Sequence, residues 1–345
     1  MKKVCVIGHF GFGKNLLNGQ TVKTKIVTNE LNKVLGEENV MKIDTHGGLL
    51  ALFKLPFQAF RAMRKCENIV ILPAHNGLRI LTPLLSFYKK FFKRKIHYLV
   101  IGGWLVKYIQ KKKRLEKKLK KFNGIYVETN TMKSNLEKLG FDNVIVLPNC
   151  KELIPLPEEE LRSEYTEPYR LCTFSRVMEE KGIEDAVNVI REINNEYGRT
   201  VLSLDIYGQV DANQIEWFDE LQKKFPDYIK YGGAVPFDKS VETLKDYFAL
   251  LFPTKFYTEG IPGTIIDAYA AGVPVISAKW ESYDDVIDDG VTGLGYEFDN
   301  LDELKRTLKE TVLAPQRIID LKSNCIRKAN EFLPKEVVGK LVEKF

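Results

Sequence analysis

Cysteine is scarce and scattered: Cys5, Cys66, Cys150, Cys172 and Cys325 are the only five in 345 residues, with no Cys-x-x-Cys pair among them. An odd, dispersed set makes no disulfide framework, and reduced thiols in the cytosol are the expected state. Histidine is scarcer still at four, none paired at ligand spacing, which speaks against a zinc site. Long apolar runs are missing too. A membrane-spanning helix needs roughly 18 to 20 consecutive apolar residues, and the best stretches, Ile80–Tyr88 and Ile96–Val106, fall well short. The opening Met1–Gly8 has a basic tip but only four apolar residues in a row, which reads as a first strand and not as a secretory signal. With no low-complexity tract and ordinary apolar and charged fractions, disordered and fibrous classes drop out.

Acid is what the first half lacks. Residues 1–150 hold 28 Lys/Arg against 9 Asp/Glu, and residues 151–345 hold 24 against 37, so balances of +19 and −13 make up the net +6. Opposite signs in the two halves, on a chain too long for one typical core, point to two domains. The basic excess peaks between Ser86 and Phe122, where 14 Lys/Arg face a single acid. Apolar residues interleave there at helical spacing, as in a basic amphipathic surface. Each cation near an anionic leaflet contributes about 1 kcal/mol, so this cluster can hold the chain at a membrane. Nucleic acid is the rival partner for bare positive charge, but no nucleic-acid motif accompanies it.

What is present is alternation. Val4–Ile7, Val40–Ile43, Ile69–Leu72, Tyr98–Ile101, Gly124–Glu128 and Val144–Leu147 read as strands, with a helix over Thr21–Leu35. After a Pro- and Glu-rich stretch, Lys151–Pro168, the pattern restarts. Leu171–Ser175, Val201–Tyr207, Tyr228–Tyr231, Ala249–Pro253 and Val275–Ser277 are strands and Ile183–Tyr197 a helix. Strands alternating with helices mean parallel sheets with right-handed crossovers. The expected class is therefore α/β, with two Rossmann-like doubly wound domains facing a cleft. They cover 1–152 and 169–325, joined by a linker over 153–168, and a helical segment over 326–345 can return to the first domain. In such sheets ligands bind beyond the carboxyl ends of strands, so the loops there carry the chemistry.

The most informative loop runs from Leu251 to Ile276. A strand ends at Pro253, Glu259 sits in the loop, and Gly260-Ile261-Pro262-Gly263 leads into a helix that starts near Thr264 and stops at Gly272-Val-Pro274. Unpaired N–H groups at a helix start form an anion site, with Thr264 placed to cap it or touch a phosphate. Glu259 precedes the helix and Asp267 lies one turn inside it, so two carboxylates can flank one elongated ligand. A second element, Phe174-Ser175-Arg176-Val-Met-Glu-Glu-Lys181-Gly182, follows the first strand of the second domain. Arg offers a fork to phosphate oxygens and Lys a point charge.

These residues resemble the family 4 retaining glycosyltransferases, in particular those of bacterial capsule and exopolysaccharide synthesis. Their loop-to-helix signature is a Glu, seven residues and a second Glu, then Ala-x-Ala-x-Gly-x-Pro-Val. Here Glu259 is followed seven residues on by Asp267, then by Ala268, Ala270, Gly272, Pro274 and Val275; the shorter Asp shifts or water-bridges a ribose contact. Arg176 and Lys181 match the family's Gly-Arg-x-x-x-x-Lys-Gly, with Ser175 for the first Gly. The resemblance is strongest from about Arg170 to Gly295. It implies a GT-B fold and a metal-independent hexosyltransferase that takes a nucleotide-diphosphate sugar, with UDP favoured. Arg176 and Lys181 would stabilise the leaving diphosphate, Glu259 would hold hexose hydroxyls and Asp267 the ribose, and neither metal nor cofactor is required.

The same resemblance places Gly208 at a donor-side turn. It also places the first-domain loop Gly11–Thr21, with Gly13, Asn18, Gly19 and Gln20, opposite the donor. That loop is neither a dinucleotide fingerprint nor a P-loop. His75, Asn76, Gly103 and Trp104, in other strand-end loops, are acceptor-side candidates. The acceptor would be a glycan or a lipid-diphosphate-linked sugar, reached from the cytoplasm at the inner face of the membrane. No catalytic base is assigned, since a front-face reaction assisted by the leaving phosphate is the usual proposal for such enzymes. A nucleotide-sugar epimerase or phosphorylase on the same scaffold, or a non-catalytic basic binding module, are the alternatives. The Asp-Asp pairs at 284–285 and 288–289 read as turn charges, not metal ligands.

Overall fold

The computed structural model describes residues 1–14 and 19–345. The chain divides into two compact units, Met1–Glu152 with Phe332–Phe345, and Leu153–Glu331.

The first unit is built on a parallel sheet of β1 (Lys2–Gly8), β2 (Val40–Asp44), β3 (Cys66–Ile71), β4 (Lys95–Leu99), β5 (Gly124–Val127) and β6 (Val144–Val146), in the order β2-β1-β3-β4-β5-β6. Strands covered on both faces read as unbroken apolar runs, and Val4–Ile7 and Ile69–Ile71 are fully buried. Its helices are α1 (Gly19–Leu35), α2 (Gly48–Lys65), α3 (His75–Tyr88), α4 (Leu105–Gln110), α5 (Lys113–Leu119) and α6 (Asn130–Glu137). One sheet face packs Ile7, Ile69 and Tyr98 against α2 to α6, through Leu55, Leu81, Leu105, Leu119 and Leu136. The other packs Val4, Val6 and Val70 against Ile26, Val27 and Leu31 of α1.

The second unit repeats the plan. Its sheet runs β12-β11-β10-β7-β8-β9, all parallel, from β7 (Tyr169–Phe174), β8 (Leu202–Tyr207), β9 (Ile229–Gly233), β10 (Ala249–Phe252), β11 (Val275–Lys279) and β12 (Gly293–Glu297). The helices are α7 (Ile183–Tyr197), α8 (Ile215–Gln222), α9 (Ser240–Leu244), α10 (Gly263–Ala270), α11 (Leu301–Leu313), α12 (Gln316–Ile319) and α13 (Lys322–Ala329). Helix α7 buries Ile183, Ala186, Val187, Ile190 and Ile193 on one stripe. Its Asn194 side chain takes the N–H groups of Val201 and Leu202 at 2.9 and 3.0 Å, which docks the helix end onto the start of β8. The chain closes with α14 (Pro334–Val342), whose Val337, Val338 and Leu341 complete the α1 side of the first unit.

Both sheets change direction once, between β1 and β3 in the first and between β7 and β10 in the second. At such a point the loops leaving two neighbouring strands diverge to opposite faces and leave a crevice.

Several boundaries differ from the sequence reading. β4 ends at Leu99 and not at Ile101, while α2 and β12 lie where no element is expected. The Pro/Glu-rich stretch is packed on the second unit: Leu156 N–H donates to Ala270 O at 2.7 Å and Tyr165 Oη to Tyr247 O at 3.1 Å. The 325/326 boundary falls inside α13, and the chain passes from one unit to the other at 331/332.

Candidate functional site

In the second unit the loops after β7 and β10 meet at the switch point. Beyond Phe174 the chain crosses the end of β8, with Ser175 N–H on Tyr207 O at 3.1 Å and Val177 N–H on Gln209 O at 3.0 Å. Gly208 makes the crossing possible. It sits at φ 138°, and a Cβ there would lie 1.7 Å from the Ser175 carbonyl oxygen. The crossing fixes Arg176, whose Nη1 lies 3.3 Å from Asp211 Oδ2 while over half of its side chain stays exposed. A short 3-10 turn, Glu179–Lys181, then ends in Gly182 at φ 68°, where a Cβ would meet Pro253 O at 1.9 Å. The β7 loop is thereby pressed onto the end of β10.

That contact brings Lys181 and Glu259 together. Lys181 Nζ pairs with Glu259 Oε1, which also accepts from Thr254 Oγ1 at 3.1 Å. The two side chains are only 17% and 14% exposed. The ammonium also lies 5.4 Å from the Phe252 ring centre and 5.0 Å from that of Phe256. Four residues past Glu259 the loop becomes α10. Gly260, Ile261 and Pro262 are buried, Pro262 takes the N-cap position without a side-chain cap, and Gly263 opens the helix. Thr264 Oγ1 is buried without a hydrogen-bond partner among the described residues. Asp267 is buried as well, at 2% exposure. Trp280 Nε1, on the neighbouring strand-end, is a second buried polar atom without a partner.

Chemically, this corner offers a helix start with no side-chain cap, an unused hydroxyl, a cation and a carboxylate already in contact, and a more exposed Arg at the rim. Such a set suits a ligand with a charged phosphate end and a hydroxylated end. Of the residues expected here, Lys181 and Glu259 meet directly, Arg176 and Gly208 share one backbone crossing, and Gly260–Thr264 and Asp267 form the adjoining loop and helix. Arg176 turns to Asp211, an acid the sequence did not single out. The second Asp-Asp pair is engaged in other contacts: Asp288 pairs with Lys328 at 3.2 Å, and Asp289 accepts from Tyr283 Oη at 3.0 Å and from Gly295 N–H at 2.9 Å. No cluster of three His, Cys, Asp or Glu suited to a metal occurs among the described residues.

The first unit has its own cavity, of about 390 Å³, at the β1/β3 switch point. His9, Gln20, Thr45, His75 and Asn76 supply its polar wall, and Leu52, Leu55, Ile80 and Leu81 its apolar one. His9 Nδ1 lies 2.7 Å from Thr21 Oγ1 and its Nε2 3.0 Å from His46 Nδ1, so only one of the facing nitrogens carries a proton. Burial, then the His46 charge, hold the His9 pKa below its ordinary value. Burial pushes the Asp44 carboxyl up, but the N–H groups of His46, Phe12 and Phe10 at 2.8 to 3.0 Å win and bring it below the usual range. His75 stacks on Trp104 with ring centres 3.8 Å apart, and burial lowers its pKa.

Among the acceptor-side candidates, His75 and Asn76 line this cavity, Trp104 backs His75, and Gly103 precedes it in the turn. Gln20 lines the cavity and donates to Leu72 O at 2.9 Å. Gly13 lies in an exposed turn and Gly19 starts α1, while Asn18 falls outside the described residues. Sequence reasoning missed His9, Thr45 and His46. Their only signal was position, since each directly follows the end of β1 or β2. No helix among the described residues is long and apolar enough to cross a membrane.

A family profile described as glycosyl transferases group 1 matches residues 168–312. An uncharacterized glycosyltransferase of Methanocaldococcus jannaschii is 20% identical over 154 residues, 43% of this chain and 37% of that protein. The amylovoran biosynthesis glycosyltransferase AmsK of Erwinia amylovora is 25% identical over 138 residues, 39% of this chain and 33% of that protein. These matches thus span about a third of each relative. Among solved structures, Anabaena HepE in complex with UDP is similar with a TM-score of 0.74 at 12% identity, over 99% of each chain. Sucrose-phosphate synthase from Thermosynechococcus elongatus gives 0.76 at 14%, over 99% of this chain and 98% of that one. At such identities the likeness is one of fold. The chain has the GT-B fold, and residues 168–312 of its second unit are similar to the glycosyl transferases group 1 profile.

Proposed function

We propose that the protein is a retaining, metal-independent hexosyltransferase of the family 4 type. It would move a sugar from a nucleotide-diphosphate donor, a UDP-sugar first, to a glycan or lipid-diphosphate-linked acceptor in surface-polysaccharide synthesis. It would work in the cytoplasm, peripherally at the inner face of the membrane. The observation that carries the reading is the Lys181–Glu259 pair, set four residues ahead of the uncapped start of α10. The relatives support it: HepE is solved with UDP and with UDP-glucose, and AmsK is named for amylovoran biosynthesis.

In this reading the donor diphosphate sits at the α10 start against Thr264 and the backbone N–H groups. Arg176 and Lys181 neutralise it. As Lys181 turns to phosphate, its hold on Glu259 relaxes, and the carboxylate becomes available to hexose hydroxyls. Asp267 serves the ribose. Fixed cations then stabilise charge growing on the leaving diphosphate, and the sugar passes to the acceptor hydroxyl. The cavity holding His9, His75 and Asn76 is the acceptor-side candidate.

Calorimetric titration with UDP-, GDP- and ADP-sugars tests donor binding, and nucleotide release that depends on acceptor tests transfer. Arg176→Ala is expected to lower turnover by roughly 10² to 10³, the scale for losing one charge-stabilising donor. An unchanged rate removes the diphosphate assignment. Full activity is expected in chelator, and strict dependence on Mg²⁺ or Mn²⁺ contradicts the metal-independent reading. Sugar epimerised without transfer would assign an epimerase instead.

A further inference from the structure

Helix α2 is apolar on two opposite sides. Its inner stripe, Leu55, Ala59, Ala62 and Met63, is buried in the first unit's core. Its outer stripe, Leu50, Phe53, Phe57 and Phe60, recurs every three to four residues and faces solvent, with Phe53 74% and Phe57 81% exposed. A surface helix normally turns polar residues outward, and a contiguous exposed apolar patch marks an interaction face. The stripe continues onto the end of α3. Phe60 contacts Tyr88 at a ring-centre distance of 5.7 Å, Tyr88 contacts Phe87 at 5.6 Å, and Phe87 contacts Phe91 at 5.3 Å. Phe87 and Phe91 are themselves exposed.

Charge around this ridge is of one sign. Residues 48–95 contain ten Lys/Arg and one acid, Glu67, which pairs with Lys3. Among the described residues Lys54, Arg61, Arg64, Lys65, Lys90 and Lys93 make no ion pair with a carboxylate. Counter-charge must therefore come from outside. A second copy docked through the same face would bring two basic rims together. A layer that is anionic at its surface and apolar beneath satisfies both features at once.

We infer that the outer face of α2 and the end of α3 insert into the headgroup–acyl boundary of an anionic lipid leaflet, with the Phe side chains inward and the Lys/Arg rim on the headgroups. This goes further than the peripheral placement proposed above and rests on it: basic charge alone gives adsorption, whereas this face gives apolar insertion. The inner turns of the same helices, through Leu52, Leu55, Ile80 and Leu81, wall the first unit's cavity. An acceptor anchored in the leaflet by its own lipid would meet that cavity at the membrane surface.

The test is co-sedimentation of the full chain with vesicles of phosphatidylcholine alone or mixed with phosphatidylglycerol. The wild type is expected to bind the anionic vesicles. It should keep part of that binding in about 1 M salt, where the screening length falls to about 3 Å. Phe53→Ser/Phe57→Ser should weaken binding at least tenfold at low salt and abolish the salt-resistant part. Leu313→Ser, at an exposed leucine of the second unit, should change nothing. An environment-sensitive dye on Phe57→Cys, in a chain whose own cysteines are all buried, should shift to the blue with anionic vesicles, which reads insertion without relying on the double variant. Binding wholly lost in salt, with no dye shift, overturns insertion and leaves surface adsorption. No binding to any vesicle at low salt overturns both. A dimer in solution that the double variant dissolves, with vesicle binding unaffected, assigns the face to self-association and overturns the inference.

Discussion

Replacing Gly208 by Ala probes how the corner at the β7/β10 switch point is built, and its cost can be worked from the backbone. The new Cβ would stand 1.7 Å from the Ser175 carbonyl oxygen, and real Cβ atoms keep at least 3.0 Å, so one strand end must retreat by 1.3 Å. The φ of 138° adds about 1 to 3 kcal/mol of strain for any residue with a side chain. The move also strains Ser175 N–H on Tyr207 O and Gly208 N–H on Gly233 O, each bond contributing about 1 kcal/mol. Together these give about 3 to 5 kcal/mol. Gly198→Ala is the matched control: φ is also positive, at 63°, but nothing lies within 4 Å of the added carbon, so only the left-handed penalty of about 1 kcal/mol applies. Urea unfolding of both variants measures the difference. Because Arg176 rides on the displaced segment, nucleotide titration of Gly208→Ala should show affinity lowered by roughly 10- to 100-fold, the scale for losing one hydrogen bond to a charged group. If Gly208→Ala is no less stable than Gly198→Ala and binds nucleotide normally, the close crossing is not what holds Arg176.

Lys181→Ala strands a carboxylate that is mostly shielded from water, and should cost about 2 to 4 kcal/mol in chemical denaturation, while Lys181→Ala/Glu259→Gln recovers much of that loss and both remain inactive in transfer. A double variant no more stable than the single one contradicts an energetic pairing. His97 is buried with Tyr126 Oη at 3.0 Å and Asn68 Oδ1 at 3.1 Å. Burial, then Lys95 and Lys89, lower its pKa to about 4. The unfolded chain takes up that proton near 6.5, so unfolding binds a proton between the two values. Stability of the first unit should fall as pH drops from about 6.5 to about 4, by about 3 kcal/mol from this group, with no effect above pH 7. His97→Gln should flatten that part of the stability profile, and an unchanged slope refutes the assignment.

Much of the second unit was legible because its signals are local. Ile183–Tyr197 is the α7 of the structure residue for residue, and the Gly-Ile-Pro-Gly turn opens α10 one residue before Thr264. The strand-end rule pointed to the loops after β7 and β10, the family resemblance put Arg176, Lys181 and Glu259 in one group, and the sheet order makes those loops adjacent: β7 and β10 are neighbours although some 75 residues separate them. What sequence could not give was pairing. Glu259 was read as facing a sugar, yet without ligand it holds Lys181, and Arg176 holds Asp211. Those contacts depend on the Gly182 and Gly208 approaches, which appear in sequence only as two glycines. β12 is not legible in the sequence because Gly-Leu-Gly-Tyr-Glu is glycine-rich and lacks a β-branched run. Helix α2 escaped because its apolar residues cover both sides and blur the helical period, and Pro56 interrupts it. The His9–His46 contact joins two strand ends 37 residues apart, which spacing along the chain cannot reveal.

We propose that the corner formed by the β7 loop, the β10 loop and the start of α10 receives a nucleotide diphosphate. A crystal structure of the chain with UDP tests it most directly. Phosphate oxygens are expected within hydrogen-bond distance of Lys181 Nζ, the Arg176 guanidinium and Thr264 Oγ1, with Lys181 drawn away from Glu259. UDP bound elsewhere, or a diphosphate that leaves the Lys181–Glu259 pair intact and Thr264 Oγ1 untouched, would contradict it.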